Sequence, residues 1–264
     1  MITSLSNPRM KRLALLQKKA RARREEACFI AEGIKMVSEA PKDRLEEIYI
    51  SRSFAGEYSS WKAPEGCPVE VVDDKVFKAV SDTETPQGIL AVIRQKQWDW
   101  RAVSTSKSPM ILFLESVQDP GNLGTILRTG EGAGIDGILM SRGCADLYQP
   151  KVVRATMGSI YRVPAAVVDD PEETIKSLRR KGIRVYAAHL AGTHSYYEKD
   201  YRSGCCFMIG NEANGLSDGL AGLATDYIRI PMKGQVESLN AGVAASLLMY
   251  EARRQREMEA VQYV

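Results

Sequence analysis

Apolar residues recur along the chain in two rhythms, short continuous runs and longer stretches with an apolar position every third or fourth residue. In the first part, Asn7-Pro8 predicts a cap and first turn of a helix running to about Arg24 on Met10, Leu13, Leu15 and Leu16. A strand from Cys28 to Ala31 ends at Glu32-Gly33, and a helix from Ile34 to about Ala40 follows. Leu45 to Ile50 and Val69 to Val72 read as strands, Asp73 or Asp74 caps a helix through Val80, and Ile89 to Ile93 is a further strand. From Gln95 to Ser108 the periodicity vanishes, and Ser104-Thr105-Ser106-Lys107-Ser108 has linker composition.

A second alternation then begins. Met110 to Leu114 is apolar throughout, as suits the middle of a parallel sheet. A helix from Asn122 to Ala133, a strand from Gly137 to Ser141, a helix from Lys151 to Gly158 and an extended run from Val163 to Val168 follow. Pro171 to Lys181 is helical with Gly182 as C-cap, and Arg184 to His189, Cys205 to Ile209 and Tyr227 to Pro231 are strands. The final helix carries Val243, Leu247, Leu248 and Met249 among small residues and closes on a charged run from Glu251 to Arg256. The pattern predicts two α/β domains, residues 1–95 and 109–264, joined by a linker at 96–108. Strands alternating with helices imply a parallel sheet with ligands at its carboxyl edge, where three polar loops are expected to gather. These loops lie in residues 114–134, 207–217 and 232–237, and Asn122 and Ser238 stand where helix N-caps belong.

Composition narrows this. With 264 residues, 44% hydrophobic and 26% charged, the chain is globular. No apolar run approaches the ~20 residues needed to span a bilayer, and no signal-peptide core is visible, so a cytoplasmic location without membrane is expected. Five cysteines form no CxxC pair and there are only two histidines, so no metal site is expected. The net charge is only +3, but the first 24 residues contain Arg9, Lys11, Arg12, Lys18, Lys19, Arg21, Arg23 and Arg24 and no acidic residue. Such a cluster favours a polyanion. Gly132-Ala133-Gly134-Ile135-Asp136-Gly137 satisfies GxGxxG, yet it ends a helix and leads into a strand, the reverse of the order a dinucleotide site needs.

The three loops read DPGNLGTILRT from Asp119, IGNEANGLS from Ile209 and IRIPMKGQVESLNAGVAASLLMYEARRQ from Ile228. In order and spacing they resemble the three signature motifs of the SpoU (TrmH-type) RNA ribose 2′-O-methyltransferases of the SPOUT superfamily. The first domain, through FIAEG from Phe29 and TPQGILAV from Thr85, resembles the family's ribosomal-protein-like RNA-binding extension. The resemblance implies an α/β-knot fold with a deep C-terminal trefoil knot, a homodimer, and S-adenosylmethionine as methyl donor. Carried onto this chain, it implies cofactor contacts at Gly210, Asn211, Ile230, Met232, Ser238, Leu239 and Asn240. It implies a catalytic set of Arg128, Asn122, Glu212, Ser238 and Asn240, with Arg128 acting as base or only orienting the hydroxyl, Glu212 available to pair with it, and Ser238 bonding it or capping the last helix. Gly210 is expected to let a ligand approach the main chain. Arg9, Lys11, Arg12, Lys18, Lys19 and Arg23 are expected to hold RNA phosphates, ribosomal RNA being favoured over transfer RNA. A transfer-RNA methyltransferase and a non-catalytic RNA-binding or ribosome-assembly protein on the same fold are the alternatives.

Overall fold

The computed structural model describes residues 1–58 and 60–261. Contacts divide the chain into two compact units, residues 1–96 with 146–161, and residues 97–145 with 162–261 among those described. The segment 146–161, which the sequence pattern places in the second domain, therefore packs with the first unit.

In the first unit, helices α1 (Pro8–Lys18) and α2 (Ala20–Glu26) precede strand β1 (Cys28–Glu32). Helix α3 (Ile34–Ser38), strand β2 (Leu45–Ser51), helix α4 (Arg52–Glu57), strand β3 (Val69–Val72), helix α5 (Asp74–Val80) and strand β4 (Ile89–Arg94) follow. The strands form one sheet in the order β1-β4-β2-β3, antiparallel except between β2 and β3. Met10, Leu13 and Leu16 of α1 bury against Ile30, Tyr49, Phe77 and Val92. Helix α7 (Pro150–Thr156) lies on the segment that joins this unit, where Tyr148 packs its ring 4.9 Å from that of Phe29 and the Tyr161 hydroxyl donates to the Met36 carbonyl at 2.9 Å.

The single helix expected from Asn7 to Arg24 is broken. Asn7 does cap it, but the chain leaves the helix at Lys19 with φ −121° and ψ 111° and resumes at Ala20. Arg23 explains the break: its Nη1 turns back and donates to the carbonyls of Leu16 (2.7 Å) and Gln17 (3.1 Å), which a continuous helix would have satisfied internally.

In the second unit, strand β5 (Met110–Leu114), helix α6 (Pro120–Ala133), strands β6 (Gly137–Met140) and β7 (Ala165–Val167), and helix α8 (Pro171–Arg180) come first. Strands β8 (Arg184–Ala188), β9 (His194–Ser195) and β10 (Cys205–Ile209), helix α9 (Asp218–Ala221), strand β11 (Asp226–Arg229) and helix α10 (Ala241–Val261) follow. The sheet is parallel throughout, in the order β7-β6-β5-β10-β8-β11-β9. β5 and β10 are buried along their whole length, which accounts for their unbroken apolar sequences. Helix α10 packs on α6, where Gly130 and Gly132 leave room for Met249 and Tyr250. Because every strand runs the same way, the loops after β5, β10 and β11 share one edge.

Candidate active site

Helix α6 starts two residues earlier than the sequence pattern indicates. Asp119 is its N-cap, accepting from the Asn122 N–H at 2.8 Å, and Pro120 fills the first helical position. Asn122 is thereby released from capping, and its carboxamide, on a residue only 7% exposed, bridges the other two loops. Its Nδ2 donates to Glu212 Oε1 at 2.9 Å, and its Oδ1 accepts from Asn240 Nδ2 at 2.7 Å. An ionised carboxylate only accepts, so the Asn122 amide can face Glu212 in one orientation alone, which leaves its oxygen for Asn240. Asn240, and not Ser238, is the cap of α10: its Oδ1 accepts from the N–H groups of Gly242 (2.9 Å) and Val243 (3.3 Å). One hydrogen-bonded chain thus joins residues 90 and 118 positions apart.

Glu212 also accepts from the backbone N–H groups of Gln118 and Asp119, each at 3.2 Å. Burial pushes this carboxyl up, but the bonds from Asn122 and from the backbone outweigh it and hold it below the usual glutamate range. These are three bonds of the roughly four a carboxylate can accept, and Glu212 does not pair with Arg128 as the sequence reading expected. Asn211 shapes the same loop. Its Oδ1 accepts from Ala213 N (3.0 Å) and Asn214 N (3.2 Å), its Nδ2 donates to the Ser116 carbonyl (2.8 Å), and its backbone pairs with Gly215. Gly210 has a reason within the loop itself. A Cβ there would overlap the backbone of Gly215 and Leu216, so the loop's own closure requires this glycine.

Arg128 lies on the exposed side of α6, and among the described residues it has no hydrogen-bond or ion-pair partner. Ser238 is exposed too and neither bonds Arg128 nor caps α10. Ile230, Met232 and Leu239 are half-buried, and no hydrogen bond within the described residues reaches the backbone of 231–239. The backbone N–H and C=O groups of that loop are therefore unpaired among the described residues.

One contributor was not visible in the sequence. β8 lies between β10 and β11, so the loop after it, His189–Gly192, emerges between the second and third polar loops. Gly192 rests on the backbone of Ile228 and Arg229, His189 Nδ1 accepts from the Ala191 N–H at 3.1 Å, and Leu190 is exposed. Only the strand order reveals this neighbour; its sequence carries no motif.

The basic helices are less uniform than their sequence. Arg9 pairs with Glu70, and Arg12 bonds Glu26 (2.6 Å) and Glu46 (3.0 Å). Arg23 is 4% exposed and is held by Asp146 and the end of α1, so its charge is internal and it is withdrawn from the phosphate-binding set. Lys11, Lys18 and Lys19 are exposed and have no partner among the described residues.

The model of the SpoU rRNA methylase family matches residues 109–250, and that of the MRM3-like substrate binding domain matches residues 7–91. The 23S rRNA (guanosine(2553)-2′-O)-methyltransferase RlmP of Bacillus subtilis is 31% identical over 258 residues, covering 96% of this chain and 98% of that protein. The AdoMet-bound rRNA methyltransferase of Sinorhizobium meliloti superposes with a TM-score of 0.84 at 32% identity, covering 96% of this chain and 97% of the other. A TrmH-family RNA methyltransferase structure from Porphyromonas gingivalis gives 0.83 at 33% identity, with 96% and 99% covered.

Proposed function

Because the chain belongs to the SpoU rRNA methylase family, we propose that it methylates a ribose 2′-hydroxyl of ribosomal RNA with S-adenosylmethionine as donor. The observation that carries this reading is the hydrogen-bonded chain Glu212–Asn122–Asn240, which draws the three motif loops to one edge. Residues 1–95 are the RNA-binding domain in this reading, 96–108 the linker and 109–264 the methyltransferase, apart from the segment 146–161, which packs with the first unit.

The residues present fit the cofactor. The loop 231–239 has unpaired backbone groups, and with Gly210, Asn211, Ile230, Met232, Ser238, Leu239 and Asn240 it would hold an adenosyl group through main-chain contacts. S-adenosylmethionine, when bound, supplies an electrophilic methyl group on a sulfonium. Arg128 donates to the ribose hydroxyl and the neighbouring phosphate, orienting the nucleophile. A guanidinium has donors and no acceptor, so the hydroxyl proton leaves to a phosphate oxygen or water. Asn122 and Glu212 fix the start of the helix that carries Arg128, and Asn240 fixes the end of the third loop.

Lys11, Lys18 and Lys19 would neutralise phosphates, with Arg9 and Arg12 sharing their charge with carboxylates. A homodimer is supported by the exposed Val243 and Tyr250, which line a groove on α10 with Thr125 and Leu247. A trefoil-knotted C-terminal portion and a cytoplasmic location complete the reading. The strand order, with β10 between two earlier strands, is compatible with such threading.

The test is calorimetry with S-adenosylmethionine together with a map of 2′-O-methyl sites across total RNA in a deletion strain. Binding without added metal, and loss of one methyl mark from ribosomal RNA, are expected. A lost mark on transfer RNA would move the substrate, and no binding with an unchanged map would make the chain a non-catalytic RNA-binding protein.

A further inference from the structure

The buried Arg23 and the loop that follows β6 bear on the same short piece of chain from two sides. On one side, Asp146 Oδ2 accepts from Arg23 Nε at 2.9 Å and from Nη2 at 2.6 Å, while Arg23 Nη1 holds the last carbonyls of α1. Asp146 Oδ1 accepts from the Tyr148 N–H at 3.0 Å, so both carboxylate oxygens are used. The Arg23 side chain is 5% exposed, which removes most of the solvent screening that weakens surface pairs.

On the other side, the residues just before Asp146 are fastened to the first motif loop. The Ala145 N–H donates to the Val117 carbonyl at 2.9 Å, the Ser116 N–H donates to Ser141 Oγ at 2.9 Å, and the Cys144 thiol donates to the Leu114 carbonyl at 3.3 Å. Ser116 sits at φ +53°, a left-handed conformation that a serine adopts only when its surroundings impose it. Its carbonyl is held by Asn211, and the next two N–H groups after Val117 are those bound by Glu212. From Asp146 one peptide link leads to Ala145, whose N–H bond to the Val117 carbonyl reaches the backbone that Glu212 and Asn122 organise.

We infer that Asp146, anchored by Arg23, is a positioning residue for methyl transfer that links RNA engagement at α1 and α2 to the geometry of the first motif loop. The inference rests on the reading of the chain as an RNA methyltransferase. Phosphates drawn to Lys18 and Lys19 load the helix junction that Arg23 fastens. Through Asp146 that load bears on the loop 141–145, and so on the 116–119 turn beside the cofactor loops. A link of this kind is reciprocal: RNA tightens S-adenosylmethionine by the same factor by which S-adenosylmethionine tightens RNA.

The experiment measures the S-adenosylmethionine Kd by calorimetry with and without an in-vitro 23S rRNA transcript. Wild type, Asp146→Asn, Asp146→Glu, Arg23→Lys and the double variant Arg23→Lys/Asp146→Asn are compared, each confirmed folded by its thermal transition. RNA should tighten the cofactor about tenfold in wild type. Asp146→Asn should bring this ratio to near one with the RNA-free Kd unchanged, and Asp146→Glu, which keeps the charge, should restore much of it. The double variant should be no worse than either single one, as expected for residues acting through one bond. A wild-type ratio of one, or an undiminished ratio in Asp146→Asn, overturns the inference. Should Asp146→Asn not fold, an undiminished ratio in Arg23→Lys overturns it and a lost ratio supports it. Failure of the methyltransferase reading would show separately, as absent cofactor binding in wild type without RNA.

Discussion

Asn122 shows how a residue's role depends on its neighbours' chemistry. An asparagine at the head of a helix ordinarily caps it, but here Asp119 caps and the Asn122 amide is free to bridge two loops. The motif spacing made the residue conspicuous; the start of the helix, two residues before the place its sequence pattern indicates, decided its use. Two predictions belong at this scale. Arg128→Ala should lower methyl transfer about 10²- to 10³-fold, the usual effect of losing one donor at a reacting group. Because no described residue leans on Arg128, cofactor affinity should stay within about twofold, which calorimetry checks. The second concerns pH. The Glu212 carboxyl is held below its ordinary value, so it stabilises the fold above the unfolded glutamate pKa of about 4.3, and that contribution is lost as pH falls through the lower folded value. The stability difference between wild type and Glu212→Gln should accordingly be full above about pH 5 and shrink below about pH 4 in urea titrations.

Among the elements, the loop after β10 and the end of α10 carry the most information. Gly210→Ala forces a Cβ into the backbone of Gly215 and Leu216 and should cost about 3 kcal/mol, with the Glu212 tip displaced and cofactor binding weakened in the same variant. Asn240→Ala removes an N-cap worth about 1 kcal/mol and leaves the buried Asn122 oxygen without its donor, so its cost in denaturant should exceed that of a cap alone. Strands and helices were legible from their periodicity because β5 and β10 are buried on both faces and α8 shows one apolar stripe. What escaped was tertiary. No propensity marks Lys19 as a break, since the cause is Arg23 reaching back, and the two-residue β9 is too short to leave a pattern.

For the molecule as a whole, charge counting along the sequence overstated the basic surface. Arg9, Arg12 and Arg23 meet Glu70, Glu26, Glu46 and Asp146, all distant from the first helix in sequence or placed after it. Only folding brings those carboxylates to them. Reversing Lys11, Lys18 and Lys19 to Glu should flatten the salt dependence of RNA binding, lowering the slope of log K against log salt by about 2 to 3. Reversing Arg23 instead leaves Asp146 facing a like charge in a buried site and should cost about 3–5 kcal/mol of stability, read by urea denaturation. The strand order was the least legible feature, because alternation in sequence says which elements exist and not which lie side by side. β10 has as its two neighbours β5 and β8, both made before it. While the protein is being synthesised, these two strands must therefore wait, with unpaired edges, for a third that leaves the ribosome seconds later. The vulnerable period in this protein's life falls before residue 205 is translated, when chaperone binding or aggregation at Met110–Leu114 competes with completion of the sheet.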